Sequence, residues 1–218
     1  MPKLKPETLE ARRGHILDAA ERCFAQSGFH RCTMADICAE AGISPGALYV
    51  HFESKEALIA GIVERNRAEL TTQFGELANA PDFTAALGAL GEHYAVDEPQ
   101  YKRILNLEIA AEATRNEKIA ELFLACDRFV IESFTDLIDR ATREGRIAPV
   151  AEPKVIAQTL CIIGEGMFWR RAVDPDFNGR DLMATVLKAV GALINPQQAG
   201  AAADATATSP ARLLEEQS

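Results

Sequence analysis

The most constraining feature of this chain is the segment 33–55, where signals for two short helices and a tight turn follow one another without a break. Thr33 can cap a first helix, with Asp36 at the position where a carboxylate closes a capping box. Gly42 stands where a chain leaves a helix in a left-handed conformation, and Ser44 followed by proline is typical of a helix start. The pattern predicts a helix-turn-helix.

In the second helix of this motif, Leu48 is the predicted buried anchor. A helical step of about 100° per residue then places Gly46 and Val50 away from the core, with Ala47 and Tyr49 beside them. A helix that reads the major groove of DNA presents residues in this way. The sequence therefore predicts that this short helix contacts DNA.

A third helix begins directly after the motif. Ser54 is its predicted N-cap, and Lys55 lies in its first turn. A lysine beside free backbone amides at a helix start can bind an anion, so we expect a phosphate contact there.

Residues 10–60 resemble the DNA-binding domain of TetR-type transcriptional regulators. The resemblance rests on four segments in the family's order and spacing, namely 12–29, 33–37, 41–52 and 54–58. In motif terms it covers about a quarter of the chain. The remaining helices resemble the family only in number, length and position.

The resemblance implies which residues contact DNA. Gly46, Ala47 and Val50 would lie against base edges, and most of the others would bind phosphates. The expected DNA-binding residues are Thr33, Ser44, Pro45, Gly46, Ala47, Tyr49, Val50, His51 and Lys55. Because the residues at 46 and 47 carry no side-chain donor, we expect thymine methyl contacts and DNA shape to share the specificity.

The net charge of −9 is unevenly distributed along the chain. Residues 1–55 carry seven Lys or Arg and seven Asp or Glu, whereas the remainder carries 16 basic and 25 acidic residues. The acidity thus belongs to the second part of the chain. Repulsion from it should keep non-specific DNA binding weak, so that affinity depends on fit and falls with added salt.

Helical periodicity and breakers predict an all-α fold with no strand. The expected helices after the motif are about 55–75, 81–94, 101–113, 116–144, 153–171 and 180–194. We expect a three-helix DNA-binding domain over 1–54, a helical ligand-binding and dimerisation domain over 55–195, and a disordered tail over 196–218, which is rich in Ala, Thr, Gln, Pro and Glu.

The last two helices predict a homodimer, because each is apolar over more than one stripe. Gly164 and Gly166 would permit close helix approach. The resemblance implies the same arrangement, a four-helix bundle built from two helices of each subunit. Two-fold pairing would also supply the second half-site contact that one helix-turn-helix lacks. The alternative is that these helices are simply core.

The middle helices offer aromatic and polar candidates for an effector pocket, of the kind the family places there. The candidates are Phe74, Tyr94, Tyr101, Leu105, Glu108, Phe123, Phe129 and Trp169. Such a set suits a flat, mostly apolar molecule. Glu108 either lines the pocket or faces solvent, and Glu112, one turn later, is expected to face solvent.

These observations favour a ligand-responsive repressor that binds a palindromic operator and is released by an apolar or aromatic effector. The family resemblance implies an efflux pump or a catabolic operon as the target, and the aromatic candidates favour the efflux pump. The rival function is a DNA-binding adaptor controlled by a protein partner. An enzyme is not expected, since no phosphate loop, nucleophile elbow or His-Glu-x-x-His motif occurs. Five scattered cysteines indicate no metal site or disulfide framework, and no cofactor is predicted. Without a long apolar run or signal region, we expect a cytoplasmic protein with no membrane partner.

Overall fold

The computed structural model describes residues 6–174 and 176–196, and the predicted tail beyond Pro196 lies outside them. The described residues form nine α-helices and no named strand, with one isolated antiparallel bridge between Ile147 and Pro196. The helices are α1 (Pro6–Ser27), α2 (Met34–Ala41), α3 (Pro45–Tyr49), α4 (Lys55–Asn79), α5 (Phe83–Glu92), α6 (Gln100–Ala113), α7 (Glu117–Arg143), α8 (Pro153–Val173) and α9 (Gly179–Ile194). The all-helical prediction is confirmed.

Two helix ends differ from the predicted ones. Helix α4 runs past Gly75 to Asn79, because Leu77 is buried in the core and tertiary packing outweighs the helix-weakening effect of glycine. Helix α5 ends at Glu92, and the chain continues as a π-helical turn over His93–Asp97. Such a wide turn has no signature in a 3.6-residue periodicity.

The N-terminal core is built around Phe24, which is fully buried. Residues of α1 to α3 pack there with Ile59 and Ile62 from the start of α4. Leu105 of α6 and Ile119 of α7 belong to the same cluster. The core therefore crosses the predicted domain boundary at residue 54. Helices α1 to α3 pack against α6 and α7 as well as against α4.

Helix α4 connects this cluster to a second one. Phe74 and Leu77, near its end, pack with α5, the second half of α7, α8 and α9. Its 25 residues correspond to a rod of about 37 Å. A tilt of α4 would therefore displace residues in both cores.

Close packing and an ion pair hold α4 against α1. A Cβ on Gly61 would lie 2.9 Å from the Phe52 ring, so only glycine fits without a shift of that ring. Arg65 places Nη1 2.7 Å from Asp18 Oδ1 and Nη2 2.7 Å from Oε1 of the buried Glu21. Removal of Arg65 would leave the buried Glu21 carboxylate without this partner, so the contact favours the packing of α4 against α1.

Candidate functional site

The start of α2 has the predicted capping box. The Asp36 N–H donates to Thr33 Oγ1 at 3.2 Å, and the Thr33 N–H donates to Asp36 Oδ2 at 2.9 Å. The side-chain and backbone hydrogen bonds from Thr33 lower the pKa of Asp36. The box therefore determines where α2 begins.

The turn and the second helix also form as predicted. Gly42 has φ 62° and ψ 35°, and its N–H donates to the last carbonyls of α2. Ser44 Oγ accepts a hydrogen bond from the Ala47 N–H at 3.3 Å, and Leu48 is fully buried. The helix-turn-helix is thus held by local hydrogen bonds and by the burial of Ile37, Ala41 and Leu48 in the N-terminal core.

The residues expected to contact DNA lie mostly at the surface of this motif. Val50 is 78% exposed and Tyr49 is 54% exposed, although both are large and apolar or aromatic. Thr33, Ser44, Pro45 and Gly46 are also exposed, while Ala47 and His51 are half-buried. A Cβ on Gly46 would meet open space, so the backbone there can be approached closely. Their DNA contacts stay predictions.

Lys55 has a role that sequence reasoning missed. Its Nζ donates to the carbonyls of Phe29, His30 and Cys32, and it lies 4.5 Å from the centroid of the Phe29 ring. The ammonium therefore satisfies the free carbonyls of the loop between α1 and α2. The predicted phosphate contact of Lys55 would have to share this ammonium with the loop.

The predicted effector residues do not gather in one place. Leu105, Glu108 and Phe123 lie at the N-terminal core, where the void beside Leu105 and Glu108 is too narrow to hold water. Phe74 lies in the second core and packs edge-on against Phe129, with ring centroids 6.3 Å apart.

The other three candidates occupy different surroundings. The Tyr94 hydroxyl donates to Gln73 Oε1 at 2.5 Å, and Tyr101 is half-buried on α6. Trp169 is 61% exposed on α8, so it lies on an outer face of the subunit rather than among the middle helices. A shared effector site for the whole set stays a prediction.

The solvent-facing position expected for Glu112 is wrong. Its carboxylate is buried, with Oε2 2.8 Å from His30 Nε2 and 2.8 Å from Arg115 Nε. One turn earlier, the half-buried Glu108 accepts a hydrogen bond from the Phe29 N–H at 3.3 Å. Both carboxylates therefore attach α6 to the loop that leads into the helix-turn-helix. Local periodicity gives no sign of this contact, because the partners lie far apart in sequence.

The Glu112 contact predicts an acid-sensitive junction. Burial acts to raise the pKa of Glu112, but the Arg115 hydrogen bond and the His30 charge outweigh it, so the pKa lies below its ordinary value. A carboxyl of lowered pKa stabilises the fold above its unfolded pKa of about 4.3, and that contribution is lost as the pH falls through the folded value. In urea titrations at pH 7, Glu112→Gln should lose about 2 kcal/mol of unfolding free energy.

The difference in unfolding free energy between wild type and E112Q should decrease as the pH falls below about 4.3. The exposed Glu121 on α7 provides a matched control, and Glu121→Gln should change the unfolding free energy little at either pH. A difference between wild type and E112Q that does not vary with pH would contradict this assignment.

Comparison with known proteins identifies the family. The model described as "Bacterial regulatory proteins, tetR family" matches residues 16–62. The HTH-type transcriptional regulator UidR of Escherichia coli K12 is 33% identical over 144 residues, covering 63% of this chain and 69% of UidR. The chain belongs to the TetR family of transcriptional regulators. It is a DNA-binding regulator and not an enzyme, as its sequence predicts.

Solved structures of TetR-type regulators share its fold. Salmonella enterica GusR superposes with a TM-score of 0.73 at 30% identity, covering 85% of this chain and 96% of that chain. The SmeT–triclosan complex superposes with a TM-score of 0.66 at 29% identity, covering 83% of this chain and 86% of that chain. In the part of this chain that the structure describes, no helix has the length and apolar character needed to cross a membrane.

Proposed function

We propose that this TetR-family member is a repressor that binds a palindromic operator as a homodimer and is released by a small, largely apolar or aromatic effector. The observation that carries the proposal is the well-capped helix-turn-helix with Tyr49 and Val50 exposed at its end. These exposed side chains are available to a partner surface, and the major groove admits a helix of this kind. The protein would act in the cytoplasm, where its operator lies.

An exposed apolar face supports the homodimer. Val155, Ile162 and Trp169 follow one another at intervals of seven residues on α8 and are 50%, 67% and 61% exposed. Residues at this interval share one helix face. On the same face, a Cβ on Gly166 would meet open space, so a second helix could approach closely there. We propose that α8 and α9 pair with the same helices of a second copy.

The contacts of α6 and α4 support a route from effector to operator. Glu108 and Glu112 of α6 bind the loop at Phe29 and His30, and Lys55 at the start of α4 binds the carbonyls of that loop. An effector that moves α4 or α6 would thereby reorient the helix-turn-helix. Since half-sites lie about 34–36 Å apart, a change of a few ångströms between the two motifs would prevent both from docking.

The proposed effector class is supported by the similarity to SmeT, whose structure was solved in complex with triclosan. Control of an efflux pump is the target we favour for such an effector. A protein-controlled adaptor is the second candidate. It is favoured by the dense packing of Phe74 against Phe129 and Phe134, whose ring centroids lie 6.3 and 4.9 Å from that of Phe74.

The proposal is tested with DNA from the protein's own promoter region. We expect footprinting to show an inverted repeat occupied by a dimer, with affinity that falls steeply between 50 and about 200 mM salt. Apolar aromatic probes, triclosan among them, should lower operator affinity. If no probe in such a screen changes operator binding, the result favours the adaptor. If the protein binds no palindrome selectively, the proposal is rejected.

A further inference from the structure

Helix α6 carries a buried cation with unmet hydrogen-bonding capacity. Arg103 is 3% exposed, and within the described residues its Nε and Nη1 atoms have no hydrogen-bond partner. An arginine side chain stays protonated in proteins, and its N–H groups can only donate. A buried guanidinium in this condition is costly unless something supplies an acceptor.

The charges around Arg103 do not supply that acceptor. Arg171 of α8 adds a second positive charge, and burial followed by the charge of Arg171 lowers the pKa of Arg103. The nearby acid is Glu98, but its oxygens lie 3.5 Å from Lys102 Nζ and 3.7 Å from His93 Nε2. Among the described residues, the carboxylate whose charge acts on Arg103 is therefore already engaged by Lys102 and His93.

Arg171 lies beside an apolar cluster. Its Nη1 donates to the carbonyl of Val96, and Val96 packs with the buried Met167 of α8 and Met183 of α9. Methionine side chains adapt to irregular shapes at little cost. Arginine binds carboxylates through charge-assisted hydrogen bonds, and small-molecule sites are mostly apolar, so positive charge beside this cluster suits a small organic acid.

We propose that Arg103 anchors the carboxylate of a small organic anion that acts as the effector of this protein. The inference rests on the proposed function and adds the chemical class of the ligand. It differs from the aromatic set predicted from the sequence, because the site lies between α6, the π-helical turn and α8. Binding there would place the ligand on α6, the helix that also holds Phe29 and His30.

The test compares wild type with Arg103→Met, which removes the cation and keeps much of the side-chain volume. The exposed Arg128 on α7 provides a matched control, Arg128→Met. The probes are benzoate and 1-naphthoate against benzamide and 1-naphthamide, with sulfate and phosphate as inorganic anions and chloride to equalise ionic strength. Thermal unfolding reports binding, and DNA retardation on the operator reports release.

We expect the carboxylates to raise the melting temperature of wild type and R128M by several degrees more than the amides do. R103M should lose this gain and bind the carboxylates at least roughly tenfold more weakly, since a charge-assisted hydrogen bond is lost. Without any ligand, R103M should melt higher than wild type, because an uncompensated buried charge has been removed. Arg103→Lys, which restores a cation, should recover part of the binding.

Each other outcome has a defined meaning. Carboxylates that stabilise wild type no more than amides, or that stabilise R103M equally, would overturn the inference. Stabilisation by sulfate and phosphate alone would assign the site to an inorganic anion and overturn the organic effector. If amides release the operator while carboxylates do not, the proposed function survives without this site. If carboxylates bind through Arg103 but no compound alters operator binding, the anion is not an effector, and both this inference and ligand-controlled repression are overturned.

Discussion

Replacing Ile162 by glutamate is expected to convert the proposed dimer into a monomer and to lower operator affinity by about a hundredfold or more. Ile162 is 67% exposed in the subunit, in the middle of the face that we assign to the dimer. In a two-fold interface the same residue enters from both subunits, so the change brings two carboxylates into a desolvated apolar seam. A monomer then binds one half-site only, and losing the contacts to the second half-site weakens the binding free energy by several kcal/mol. Each tenfold loss of affinity corresponds to about 1.4 kcal/mol.

The same change should leave the subunit folded, because an exposed side chain contributes little to its core. Sedimentation at micromolar concentration, circular dichroism and operator retardation measure the three effects separately. Leu124 on α7 is 49% exposed outside the proposed seam, and Leu124→Glu is the matched control. An I162E protein that sediments as a dimer and binds the operator normally would remove α8 from the interface.

The helix-turn-helix was predictable from sequence because its determinants are local. The capping box joins Thr33 to Asp36, three residues away, and the αL conformation of Gly42 follows directly on the last turn of α2. Ser44 caps α3 in the same way. Each of these contacts is made within one turn of chain, so residue type and spacing suffice to predict it.

The contacts that connect the motif to the rest of the subunit could not be predicted in this way. Lys55 binds carbonyls of a loop more than 20 residues earlier, and Glu112 pairs with His30 across a still longer interval. Their partners depend on how α4 and α6 pack, and an amphipathic pattern does not specify this. The sequence pattern therefore predicts a solvent-facing Glu112 and gives no sign that Lys55 closes the loop.

Buried charge was equally invisible in the sequence. The aromatic candidates follow from the rule that large apolar side chains line pockets, but the same side chains also fill cores, as Phe74 and Phe129 do here. The residues next to Arg103 in the sequence do not mark it as buried, and its 3% exposure in the structure is what distinguishes it from a surface arginine. Burial of a polar group is a property of the packed helices, and it is more informative about function than the residue type alone.

Tyr49 is the position at which the DNA-docking proposal is most directly tested. It is 54% exposed at the end of α3, where the resemblance to the family implies a phosphate contact. Tyr49→Ala should weaken operator binding by about tenfold to a hundredfold, since each subunit of the dimer loses a hydrogen bond and ring contacts, worth roughly 1 kcal/mol a side. The melting temperature and the sedimentation of Y49A should stay close to wild type, because the anchor Leu48 is untouched and Tyr49 lies outside the core.

Tyr49→Phe separates the two contributions, because it removes only the hydroxyl. If the hydroxyl binds a phosphate, Y49F should lose binding about equally on the operator and on unrelated DNA, since a phosphate contact carries no base information. If the ring packs against base edges or sugars, Y49F should keep most of the affinity that Y49A loses. Operator binding by Y49A that matches wild type at several salt concentrations would mean that α3 does not dock as the helix-turn-helix proposal requires.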